Sequence, residues 1–215
     1  IFFHFIQIFF IKIFGYNIFS FRLISLLAGT ISLYIFYKMA KKLTQSNIWA
    51  CLAAVTLGID IHFIYSSHLA RQEIILILVQ LLALYFFFNK IDHKHSVYLD
   101  IIMGLILGSA IGIHPNSFVI ALPFIIIYTY QLFGSKKIKW SNYLSFGLTL
   151  GLIALSFVIL SFQFDPNFIE NYTSYGQKLG VLNFISNKID NLDYFYKKIF
   201  YRVSGTYYIP PIKFQ

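Results

Sequence analysis

The chain has 215 residues, of which 58% are hydrophobic and only 12% charged, with a mean hydropathy of +0.71. A soluble domain carries about 25% charged residues, so this chain cannot cover a water-facing surface and reads as a polytopic membrane protein. Its net charge of +9 would point to nucleic acid only if the basic residues formed one patch; they fall instead into short loops, which excludes nucleic acid as a partner and points to membrane topology.

Residues 1–14 are apolar but interrupted by His4, Gln7 and Lys12. A crossing needs about 20 apolar residues, so this stretch is expected as a juxtamembrane helix at the interface, stopped by Gly15-Tyr16-Asn17. Six apolar runs follow, over residues 21–37, 48–65, 74–88, 97–113, 118–133 and 143–162. Each is expected to be a transmembrane helix. The fourth carries Gly104, Gly108 and Gly112 on one face, and the sixth carries Gly147 and Gly151; small residues at that spacing let helix backbones approach closely. Pro123 is expected to kink the fifth. The single cysteine, Cys51, allows no internal disulfide, and from its apolar run it is expected to be a small core residue.

The loops set the sidedness. Lysines cluster after alternate runs, at Lys38/Lys41/Lys42, at Lys90/Lys94 beside His93 and His95, and at Lys136/Lys137/Lys139. The intervening short loops hold Arg71 and no lysine. The positive-inside rule puts the lysine loops in the cytoplasm. Residues 1–17, the Ser66–Glu73 loop, the His114–Ser117 turn and the tail from Asp165 then lie outside. The tail is polar and aromatic, and Ile185, Ile189, Leu192, Tyr196 and Ile199 recur there at helical spacing, as in an amphipathic surface helix. The division is therefore a membrane-embedded helical domain over 1–164 and an outer-face loop over 165–215. The chain opens on Ile1-Phe2-Phe3 with no cationic leader region or cleavage site, and it is expected to be a fragment of a longer protein.

No phosphate-binding glycine loop, paired CxxC or HExxH is present. What carries information is where the polar side chains fall. Asp60, His62, His68, Arg71, Glu73, His114 and Asn116 all lie toward the outer ends of the second to fifth runs. A transporter for polar solutes places ionisable groups near the midplane; an enzyme acting on a lipid head group needs them at the interface. Arg71 offers a permanent charge and a planar fork suited to a phosphate, or it snorkels to head groups. Glu73 either positions Arg71 or simply answers a helix dipole. His114 precedes Pro115, so the helix should break there, and Asn116 or Ser117 can cap the next one. His114 either bonds a phosphate or acceptor or caps a carbonyl. Asp60 is a weak candidate acid, with pairing to Arg71 or Arg22 as the structural alternative. The spacing of His62, His68 and His114 matches no metal-ligand pattern, and no metal or other cofactor is expected.

The order Phe14-Gly15-Tyr16, Phe21-Arg22-Leu23-Ile24-Ser25, Gly29, the lysine loop, Ala70-Arg71-Gln72-Glu73, Gly108 and Gly112-Ile113-His114-Pro115 resembles the membrane-embedded glycosyltransferases of family 39, the dolichyl-phosphate-mannose–protein mannosyltransferase-like proteins of the C-type superfamily. The resemblance covers roughly residues 10–133. It implies a multi-span bundle that takes a sugar from a polyprenyl-phosphate carrier and passes it to a lipid or protein acceptor on the outer face. It implies that Arg71, Glu73 and His114 match family positions near the outer cavity; together with Asn116 they are the expected substrate-binding residues, without a metal. Gln72 departs from the proline often found between the Arg and Glu, and Asn116 follows the His-Pro. The family's catalytic acid belongs to a first outer loop that would lie upstream of this chain, which has no Asp or Glu before Asp60. The sequence thus reads as an all-α membrane protein, with about six transmembrane helices, a juxtamembrane helix and an outer tail. Its expected role is an inverting glycosyltransferase of the cell envelope, multi-pass in a bacterial inner membrane. A lipid-linked saccharide flippase or other transporter is the alternative, and a non-catalytic membrane scaffold a third.

Overall fold

A computed structural model of the chain describes residues 2–69, 71–92, 97–114, 117–135 and 138–178. Among them every regular element is helical: α1 (Phe2–Phe14), α2 (Ile18–Thr44), α3 (Asn47–Gly58), α4 (Ile61–His68), α5 (Glu73–Asp92), α6 (Val97–Ile113), α7 (Phe118–Thr129) with a π-helical turn at Tyr130–Gly134, α8 (Trp140–Phe164) and α9 (Phe168–Lys178). The chain divides into two compact units, Ile1–Leu160 and Ser161–Gln215.

The first corner is set by local chemistry. Gly15 ends α1 with φ +82, a conformation that favours glycine, and its N–H bonds the Ile11 carbonyl at 2.8 Å. Asn17 then caps α2 by accepting from the Ser20 N–H at 2.9 Å, while the Ser20 hydroxyl donates to the Gly15 carbonyl at 2.6 Å. Phe3, Ile6 and Phe10 of α1 pack on the main core, and Phe5, Phe9 and Ile13 on the other face stay exposed. Both faces of α1 are therefore largely apolar.

Helix α2 organises the first unit. Its buried face is made mostly of small residues, with Ser25, Ala28, Gly29 and Ser32 between Ile24 and Ile35, so neighbouring helices come close. A Cβ on Gly29 would stand 2.6 Å from the Ser67 Cβ of α4. At the other end, Lys42 donates to the Phe88 carbonyl and to Asn89 Oδ1 of α5, at 2.9 and 3.1 Å. Helix α5 sits between α2 and α6, with Ile74, Val79, Ala83 and Phe87 in the core.

The glycine face of α6 packs as the spacing implies. A Cβ on Gly104 would meet the Phe146 carbonyl oxygen at 2.8 Å, one on Gly108 the Ile153 Cβ at 2.9 Å, and one on Gly112 the Phe157 ring at 2.5 Å. The matching expectation for α8 is not met: nothing lies within 4 Å of a Cβ on Gly147 or Gly151. Those two look away from α6, onto a surface of exposed Leu144, Leu148, Leu152 and Leu155.

All six apolar runs are helical, but two helices, α2 and α8, are long and apolar enough to cross a membrane alone. Helices α3 and α4 pass only as one span bent by 68°, and Cys51, expected in the core, is exposed because the buried position of α3 is its neighbour Ala50. The second run is broken at Asp60, which leaves α3 and caps α4 by accepting from the Phe63 N–H at 2.9 Å. Helix α6 has 17 residues, a rise of about 25 Å against a hydrocarbon core of about 30 Å. Among the described residues, spans complete by length thus number two or three. Helix α7 runs on through Pro123.

In the second unit Asp165 starts α9, accepting from the Asn167 N–H at 3.1 Å and from Asn171 Nδ2 at 2.9 Å. The amphipathic stretch expected over 185–199 lies outside the described residues.

Candidate functional site

The turn between α4 and α5 is tied to α2. The Ser25 hydroxyl donates to the Arg71 carbonyl at 3.3 Å, and the Arg71 N–H bonds the Leu69 carbonyl at 2.7 Å. With Ser67 seated on Gly29 just before it, the Arg71 backbone is pinned while its side chain is left 44% exposed.

That side chain is held on two sides. Nε donates to Glu73 Oε2 at 3.2 Å and Nη2 meets Oε1 at 2.8 Å, a fork-on-carboxylate pair. Nη1 reaches the Tyr65 hydroxyl at 3.4 Å, and the guanidinium carbon lies 5.5 Å from the Tyr65 ring centroid. Partial burial works against the guanidinium's charge. The Glu73 carboxylate and the Tyr65 hydroxyl together outweigh it, holding the pKa above the usual arginine value. Arg71 is thus a fixed cation at every physiological pH. Glu73 is 45% exposed, and an exposed pair of this kind contributes only about 0–1 kcal/mol. The pair therefore adds little to stability.

The other expected residues stand as follows. Asp60 is the N-cap of α4, a structural role other than the pairing with Arg71 or Arg22 that stood as the alternative to its being the acid. His68 sits at the end of α4, its Nδ1 within 2.9 Å of the Ile64 carbonyl and 3.1 Å of the Ser67 hydroxyl. His114 ends α6 half-buried; its N–H bonds the Ala110 carbonyl and its carbonyl accepts from the Ser117 N–H, both at 3.0 Å. Asn116 lies outside the described residues. Ser117 precedes α7 but makes no capping bond, and its buried hydroxyl finds no partner among the described residues. Among the described residues no group of three or more His, Cys, Asp and Glu could hold a metal ion, so His62, His68 and His114 do not cluster.

One polar centre was missed by sequence reasoning. Asp100, in the first turn of α6, is fully buried. Tyr128 of α7 donates to its Oδ1, and Asn142 of α8 donates to its Oδ2 at 2.6 Å. Tyr128 also stacks on Phe146, centroids 4.3 Å apart and planes at 20°. The usable signal was a lone acid three residues inside an apolar run, where an ionisable group needs a named partner. By the charge of the neighbouring loops this centre sits at the lysine-loop end of the helices, opposite Arg71.

No curated protein and no solved structure shows significant similarity to this chain. The family model described as dolichyl-phosphate-mannose-protein mannosyltransferase matches residues 1–161. That stretch runs from α1 into α8 and contains Arg71, Glu73, Tyr65 and His114, so the chain belongs to the dolichyl-phosphate-mannose–protein mannosyltransferase family.

Proposed function

We propose that this membrane glycosyltransferase takes a sugar from a polyprenyl-phosphate carrier at the outer membrane face and transfers it to a lipid or protein acceptor there. Family membership implies a glycosyltransferase of the mannosyltransferase kind. The observation that carries the finer reading is Arg71: a permanently charged planar fork, pinned through its backbone to α2 and half exposed at a helix end. The sidedness rests on the lysine loops. The six apolar runs would then all cross, the shorter ones by local thinning or by flanking residues that reach the interface.

In this reading the acceptor hydroxyl oxygen attacks the anomeric carbon as the bond from that carbon to the phosphate oxygen breaks. The phosphate keeps the electron pair and leaves as polyprenyl phosphate. Arg71 stabilises the charge that develops on it. The hydroxyl proton must pass to a base; Asp60 caps α4 and Glu73 holds Arg71, so neither is assigned that role. His114 lies at a helix break on the same side and offers a further donor toward the phosphate or acceptor.

The test is release of polyprenyl phosphate from polyprenyl-phosphate mannose by the purified full-length protein in detergent with membrane lipids as acceptors. Turnover above a protein-free control is expected. A folded protein that releases none with this donor or with its glucosyl and arabinosyl counterparts refutes the reading.

A further inference from the structure

We propose that Glu73 discriminates between donor and product at the Arg71 site, competing for the guanidinium so that the polyprenyl phosphate product is released. This rests on the reading of Arg71 as the donor-phosphate site.

Three observations lead there. First, Glu73 covers Nε and Nη2, the edge through which an oxyanion would be taken in two-point fashion, at 3.2 and 2.8 Å. Second, the two side chains are 44% and 45% exposed, so their pairing is weak and can yield to another anion. Third, neither partner can drift away. The Arg71 carbonyl is held by Ser25, and Glu73 is the first residue of α5, followed by fully buried Ile74. A displaced Glu73 carboxylate therefore stays beside whatever takes its place.

The chemistry supplies the asymmetry. The donor is a phosphodiester with one negative charge. The product is a monoester, whose second ionisation near neutral pH brings it to about −1.5 to −2. A lone arginine would hold the product more tightly than the donor and stall turnover. A carboxylate fixed next to the same fork repels the more highly charged monoester more strongly, and it reclaims the guanidinium as the product leaves.

The test uses two probes that differ in that charge, farnesyl phosphate and its methyl ester, with the purified protein in detergent at pH 7.5. Glu73→Gln should tighten farnesyl phosphate by about fivefold or more, the effect of removing one nearby unit charge at high effective dielectric. The methyl ester should tighten clearly less. Glu73→Asp, which draws the carboxylate back by one methylene, should shift both in the same direction by smaller factors. Arg71→Ala should weaken both probes. If Arg71→Ala weakens both but Glu73→Gln weakens or leaves them unchanged, Glu73 merely orients the arginine and the proposal falls alone. If Arg71→Ala changes neither probe, the phosphate reading of Arg71 falls and the proposal with it. Equal tightening of both probes would also overturn the discrimination.

Discussion

Tyr128→Phe removes one oxygen and nothing else. The ring keeps its stack on Phe146 and its contact with Phe87, at centroid distances of 4.3 and 6.2 Å, so packing changes little. What is lost is a donor to Asp100 Oδ1, together with a 3.6 Å contact to Met103 Sδ. Asp100 is fully buried, so water cannot replace that donor. A lost hydrogen bond to a buried group costs about 1–3 kcal/mol. For a chain of this size about 2 kcal/mol corresponds to a fall of roughly 4–8 °C in Tm. Unfolding can be followed in mixed micelles by tryptophan fluorescence, to which Trp140, two residues from Asn142, contributes together with Trp49. Because Tyr128 and Asn142 serve the same carboxyl group, the double variant Tyr128→Phe/Asn142→Leu should depart from additivity by about 0.5 kcal/mol or more. A Tyr128→Phe protein as stable as the wild type, with additive partners, would refute the claim that this centre ties α6, α7 and α8 together.

Other outcomes follow from the same geometry. Gly104→Ala should destabilise by about 1–3 kcal/mol, because its methyl would press on the Phe146 carbonyl oxygen, whereas Gly147→Ala, with open space around it, should be neutral or slightly stabilising in the same denaturation assay. Asp60→Ala should lose about 1 kcal/mol as an N-cap and keep its transfer activity; a folded but inactive variant would make Asp60 the proton acceptor. In a Cys51→Ser background, cysteines at exposed Asn17 and His68 should react with an impermeant thiol reagent on intact cells, and one at exposed Lys41 should not. Labelling in the opposite sense would reverse the topology.

The helices were legible because apolar runs bounded by lysine clusters leave a membrane chain little choice. Their lengths were not, since Gly58-Ile59-Asp60 breaks a run that hydropathy joins. Periodicity shows that residues share a face but not what packs there: Gly104, Gly108 and Gly112 meet α8, while Gly147 and Gly151 meet nothing within 4 Å. The Arg71–Glu73 pair was visible because its partners are two positions apart. Tyr65, which completes it, sits six positions earlier on another helix. Asp100 was hidden for a related reason. Its partners lie 28 and 42 residues away, and a lone acid in an apolar run gives no sign of which distant donors satisfy it.

The central claim is that Arg71 holds the carrier phosphate of the donor. Its most direct measurement is initial-rate transfer from polyprenyl-phosphate mannose by the full-length wild type and its Arg71→Ala variant, each first shown to unfold at the same denaturant midpoint. Loss of a positioned cation at the leaving group should lower kcat by about a hundredfold or more, with Arg71→Lys recovering part of it. An Arg71→Ala protein that transfers at the wild-type rate would contradict the account.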